Sequence, residues 1–374
     1  MGGVIETIFW FLVVLTPLVF VHEFGHYWFA RRFGVKVEVF SVGFGRELFG
    51  YTDKAGTRWK FSLIPFGGYV KMFGQSDLGP DEDGAALTPE ERDVAFSSKK
   101  LSQKAMIVAA GPIANLIFAL GIFTILFATT GQPFTPATVS QVVAGSAAED
   151  AGLQPGDTFT EVAGRSIERF EEVQQLIRLH PGIPVDITVD REGESVDLVA
   201  TPAVRILPDG LGDEARLGVL GVQGLERAYE RHSIPVAAWQ SVRETVRLVS
   251  VTVTAIGQMF GGERSAKELG GPVRIAQMSD SAADAGIITL VIFAAFLSIN
   301  LGLINLLPIP LLDGGHLLFY AYEAVIRRPP GRWAQEFGLK IGLVFVLGLM
   351  LFATFNDIAR LPVVQRIVSL FTWA

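Results

Sequence analysis

Four stretches of this chain are apolar over about the ~20 residues that a helix needs to cross a bilayer. They are residues 5–30, 105–130, 287–307 and 341–355, the last the shortest and open to extension back through Phe337. In hydrocarbon every backbone N–H and C=O must find its partner inside the protein, and a helix does this within one segment. The reading is therefore a polytopic α-helical membrane protein with about four transmembrane helices. Composition agrees: 50% of the residues are hydrophobic and 18% charged. A fifth stretch, residues 236–260, carries Arg243, Glu244 and Arg247. It reads as an amphipathic helix on or near the membrane, with a true span as the alternative. The first stretch lacks the basic lead and small-residue cleavage site of a signal peptide.

Lysine and arginine in the flanks set the orientation. Arg31, Arg32 and Lys36 follow the first stretch, Lys99, Lys100 and Lys104 precede the second, and Arg327, Arg328 and Arg332 follow the third. Residues 31–104 and 313–335 then face the cytoplasm, and both termini and residues 131–285 lie on the far side. The acidic run PDEDG at 80–84 counts little in this rule. The chain divides into 1–130, 131–228, 229–285 and 286–374. A net charge of -7 argues against a nucleic-acid partner.

Two connecting regions are not helical in pattern. VKVEVF and RWKFSLI alternate apolar and polar residues, as strands do, and GFG and PFGG punctuate them. They predict a cytoplasmic-side β-hairpin region whose edge can pair with an extended substrate. Residues 131–228 predict a compact α/β domain. It has a turn at QPGD, a helix near 170–179 and a hairpin turning near Glu192-Gly193. The pattern A-x-x-A-G-L-x-x-G-D resembles bacterial PDZ domains, and Leu217, Gly218 and Val219 resemble their carboxylate-binding loop.

Residues 22–26 read HEFGH, at the end of the first apolar stretch. Ionisable groups at membrane depth are costly and usually mark function. His22 and His26 are i and i+4, so both imidazoles leave one helix face. That spacing suits two bonds to one zinc ion, with Glu23 able to reach a water on it: the H-E-x-x-H pattern of zinc proteases. The chain has no cysteine, so disulfides, thiolate zinc sites and Cys nucleophiles are excluded. A catalytic zinc takes three protein ligands. The second apolar stretch offers no Asp, Glu or His, whereas the third leads into LLPIPLLDGGH with Asp313 and His316. Pro308 and Pro310 break that helix and let a side chain bend back. Asp313 is the preferred third ligand, with His316 as the alternative or as a supporting residue. His180 and His232 read as surface residues. No G-x-S-x-G sequence supports serine catalysis.

HEFGH, GPIAN, NLLPIPLLDGG, GFG and FGGYVKM together resemble the bacterial site-2 proteases of the regulator-of-sigma-E type, over nearly the whole chain. The resemblance implies zinc on His22, His26 and Asp313, Glu23 as catalytic base, and Asn305 holding the substrate backbone or the oxyanion. It implies that the strands around 57–72 form a membrane-reentrant β-loop, in which Phe61, Leu63, Gly67 and Gly68 contact substrate. It implies a multi-pass protein of the bacterial inner membrane with its active site near the cytoplasmic side. The implied partners are single-pass membrane proteins already shortened by another protease, such as anti-sigma factors or signal-peptide remnants. Some members carry two tandem PDZ domains, whereas one is visible here. Two other functions compete. A metal transporter wants several intramembrane acidic or histidine sites, and a non-catalytic PDZ adaptor has no need of Glu23.

Overall fold

The computed structural model describes residues 3–75, 88–208, 214–226, 228–261 and 270–359. The acidic run at 80–84 lies outside them. In chain order the first elements are α1 (Val4–Arg32), β1 (Val37–Thr52), β2 (Arg58–Met72), α2 (Pro89–Val94) and α3 (Leu101–Thr129). Short strands and helices follow: β3 (Gln132–Phe134), β4 (Val139–Val142), α4 (Ala147–Asp150), β5 (Thr158–Val162), β6 (Arg165–Ser166) and α5 (Phe170–Arg178). Next come β7 (Val185–Arg191), β8 (Glu194–Ala200), β9 (Ala203–Pro208), β10 (Glu214–Val219), β11 (Val222–Gly224) and β12 (Ala228–Glu230). The chain then returns to long helices: α6 (Ile234–Phe260), α7 (Pro272–Asp284), α8 (Ile287–Leu306), α9 (Asp313–Ile326) and α10 (Arg332–Ala359).

Among the described residues four helices are long and apolar enough to cross a membrane: Val4–Arg32, Leu101–Thr129, Ile287–Leu306 and Trp333–Ala359. The last starts before the apolar run at 341. Gln335, Glu336 and Lys340 interrupt hydropathy but are good helix formers, so the backbone continues through them. α6 is one continuous helix over the fifth stretch.

The chain forms two compact units. The first comprises Met1–Phe123, Ser241–Val253 and Ala266–Ala374. Here α1 packs on α7 and α8. Val14, Leu18, Ala282 and Leu290 are buried together, and Thr7 Oγ1 donates to Asp280 Oδ2 at 3.0 Å. β1 and β2 are long, bulged and folded back on each other. Val39, Phe40, Ser41 and Val42 each pair on both sides, with the 58–61 part of β2 and with its 68–71 part. Residues 68–72 are thus an edge of the sheet. Asp53 ties the hairpin turn, accepting from the Ala55 and Thr57 N–H groups and from Trp59 Nε1–H at 2.9 Å each. Burial pushes the Asp53 carboxyl up, but the bonds from Trp59, Thr57 and Ala55 outweigh it and hold the pKa below the ordinary value. At the folded end of the hairpin Phe44, Leu48, Phe49, Leu63 and Ile64 are exposed.

The second unit comprises Thr124–Gln240 and Thr254–Ser265. Its main sheet is antiparallel in the order β6-β5-β7-β8. The β7–β8 turn puts Glu192 and Gly193 at φ 55° and 90°, the left-handed values of a two-residue hairpin turn. In α5 the side chains of Phe170, Val173, Leu176 and Ile177 recur at helical spacing and enter the core with Phe159, Val162, Ile187 and Val189. Leu217, Gly218 and Val219 are strand residues of β10, paired with β9 at Arg205, Val204 and Ala203, and not a loop. His180 and His232, which the sequence reads as surface residues, are half-buried. His180 Nδ1 donates to the Leu176 carbonyl at 2.8 Å, and His232 Nε2 lies 3.2 Å from Gln132 Oε1.

Candidate active site

His22, Glu23 and His26 are buried on one face of α1. α3 runs antiparallel beside them. His26 lies against Ile107 and Gly111, whereas His22, one turn back, reaches Asn115. Residues 107, 111 and 115 are successive i, i+4 positions, so one stripe of α3 backs both imidazoles. His26 Nδ1–H donates to the Ile107 carbonyl at 2.9 Å. A carbonyl only accepts, so the neutral ring keeps its proton on Nδ1 and presents a lone pair at Nε2. Gly111 is required here: a Cβ would stand 2.3 Å from His26 Nε2. Gly111→Ala is therefore expected to displace that ring. Displacement on the ångström scale costs roughly 10²-fold in rate, to be read as slower cleavage together with weaker zinc binding.

The third group arrives through the break between α8 and α9. Pro308 and Pro310 prevent the helix from continuing. Leu311 adopts φ 93°, a strained value for a branched residue. Asp313 then opens α9, with its Oδ2 3.2 Å from His22 Nε2 and 3.5 Å from His26 Nε2. These three ligand atoms lie within 4.8 Å of one another, and no further His or carboxylate joins them among the described residues. Asp313 Oδ2 is buried yet makes no well-directed hydrogen bond. A buried acceptor close to two nitrogens but aligned with neither is satisfied by a cation shared among all three. Two imidazoles and one carboxylate also match the catalytic zinc donor set. The residues present fit zinc.

A cavity of about 1030 Å³ opens on this cluster, lined by Glu23, Asn305, His316, Gly67, Gly68 and Tyr69 among others. Glu23 is thus beside the cluster, and Asn305, in the last turn of α8, faces the same space. His316 lines the cavity without entering the ligand group. The sheet edge comes against α1 here. A Cβ on Gly68 would stand 2.9 Å from Glu23 Cγ, so only glycine lets the strand approach the carboxylate this closely. Phe61 and Leu63 are exposed on β2. The sequence alone gives Ile107, Gly111 and Asn115 no role, although the last two begin and end the GPIAN stretch. An amide inside an otherwise apolar helix was the signal.

The chain is similar to known proteins over nearly its whole length. The family model described as Peptidase family M50 matches residues 10–349. A protein of Agrobacterium fabrum named "Putative zinc metalloprotease" is 44% identical over 359 residues, covering 94% of this chain and 95% of that one. One of the same description from Rhizobium meliloti is 44% identical over 355 residues, covering 93% and 95%. "Metalloprotease MmpA" of Caulobacter vibrioides is 36% identical over 388 residues, covering 96% and 97%. A PDZ domain of an SdrC-like protein from Listeria innocua aligns with 25% of this chain and 99% of its own, at 18% identity and a TM-score of 0.20, below what a shared fold requires. The chain belongs to peptidase family M50, the site-2 proteases, and is a membrane zinc metalloprotease.

Proposed function

We propose that this protease cuts single-pass membrane proteins within their membrane segment, close to the cytoplasmic face. The observation that carries the reading is the meeting of His22 and His26, on a helix long and apolar enough to span a bilayer, with Asp313 at the start of α9, beside the edge of β2. His22, His26 and Asp313 would hold the zinc, which when bound would supply a water with its pKa lowered towards ~7 and a Lewis acid for the scissile carbonyl. Glu23 takes the proton of that water and returns it to the leaving amine. Asn305 donates from its amide to the substrate backbone or to the developing oxyanion.

A membrane helix hides its carbonyls in its own hydrogen bonds, so the substrate must unwind. Freed backbone groups in hydrocarbon cost several kcal/mol each, on the order given by transfer to apolar solvent. Pairing with the 68–72 edge replaces those bonds. Phe61 and Leu63 offer apolar contact to side chains of the extended segment, and Gly67 and Gly68 leave room for its backbone. The orientation read from the flanking charges puts both termini and residues 131–285 outside the cytoplasm, in the inner membrane of a bacterium. There residues 131–228, whose sequence pattern resembles PDZ domains, exclude substrates with bulky outer domains or receive a fresh C-terminus at Leu217, Gly218 and Val219. Substrates already shortened outside, such as anti-sigma factors or signal-peptide remnants, fit this arrangement.

The test uses purified protein in lipid vesicles with a single-pass substrate tagged at both ends. Mass spectrometry of the products should place the cut inside the apolar segment, with a shortened outer domain cut faster than an intact one. Products cut only in the soluble flanks would sink the intramembrane reading.

A further inference from the structure

Asn115 is fully buried in the apolar helix α3, and two other helices hold it. Ser298 Oγ–H of α8 donates to its main-chain carbonyl at 2.8 Å, and a Cβ on Gly302 of α8 would stand 3.4 Å from its Cβ. Its side-chain amide reaches α1, with Nδ2 at 3.2 Å from His22 Nδ1, while Oδ1 is buried without a partner. This orientation aims an N–H donor at Nδ1. The neutral ring then carries its proton on Nε2, the atom that faces His26 and Asp313. A proton there blocks the lone pair that a metal needs.

The two ends of an amide have nearly the same shape, and its hydrogen-bond partners decide which is which. We propose that Asn115 is the positioning residue of His22. With the amide turned by half a turn, Oδ1 accepts the His22 Nδ1–H and leaves the Nε2 lone pair free for zinc. His26 is already held in this way by the Ile107 carbonyl. One stripe of α3 therefore sets the tautomer of both histidines, through a main-chain acceptor for one and a side-chain acceptor for the other. Metal-bound histidines commonly have such an acceptor on the second nitrogen. The inference rests on His22 being a zinc ligand.

Zinc affinity of the detergent-purified chain, measured by competition with a chromophoric chelator, tests it. His22→Ala sets the scale: wild-type affinity in that variant would remove His22 from the zinc site and sink the underlying reading by itself. Asn115→Leu keeps the bulk and loses the acceptor, so zinc should bind about 10–100-fold more weakly, as is usual for loss of an outer partner. Asn115→Asp keeps the acceptor and should restore most of that loss. Wild-type affinity in Asn115→Leu, with His22→Ala impaired, would overturn the proposal and leave Asn115 a packing residue. A loss in Asn115→Asp as large as in Asn115→Leu would also overturn it, because the donor end would then be the one that matters. If the leucine variant does not fold, the aspartate variant decides alone.

Discussion

Glu23→Gln is expected to leave zinc bound and to slow cleavage by about 10²–10⁴-fold, the usual contribution of a general base. The amide has nearly the shape of the carboxylate but cannot take a proton from water. Glu23 is buried at 8% exposure on α1, with Gly68 of the sheet edge against its stem. It is outside the ligand group of His22, His26 and Asp313, so the metal site should survive the change. Metal analysis and a tagged membrane substrate measure the two quantities together. Persistent cleavage in the variant would remove Glu23 from the chemistry. Loss of zinc with loss of cleavage would make it a ligand instead of a base.

Asp313→Ala is expected to strip the metal and abolish cleavage. It removes the one carboxylate of the cluster and leaves two buried imidazoles facing each other at 3.3 Å. Losing a direct ligand should exceed the roughly 10–100-fold loss of affinity that follows loss of an outer partner. His316→Ala is the matched comparison, since His316 lines the same cavity from the same helix but stands outside the ligand group. Zinc should therefore stay bound in the His316 variant. The reverse pattern, with zinc lost on removing His316 and kept on removing Asp313, would replace the assigned third ligand.

The sequence by itself determined the class of the molecule and singled out two of its proposed metal ligands and its proposed base. Each of these depends on local periodicity. Hydrocarbon thickness fixes the length of an apolar helix, and i, i+4 spacing puts His22 and His26 on one face with no need of a partner helix. The β7–β8 hairpin and α5 were legible for the same reason: turn residues and helical spacing act within about ten residues. The sequence preferred Asp313 to His316 as third ligand, but only the folded break between α8 and α9 brings the Asp313 carboxylate to the two imidazoles. It gave Asn115 and Ile107 no role, because their contacts with the histidines join residues 93 and 81 positions apart. It also read Leu217, Gly218 and Val219 as a loop, where pairing with β9 makes them strand. Two apolar helices packed antiparallel bring together groups that no periodicity links, and that packing was set by tertiary contact alone.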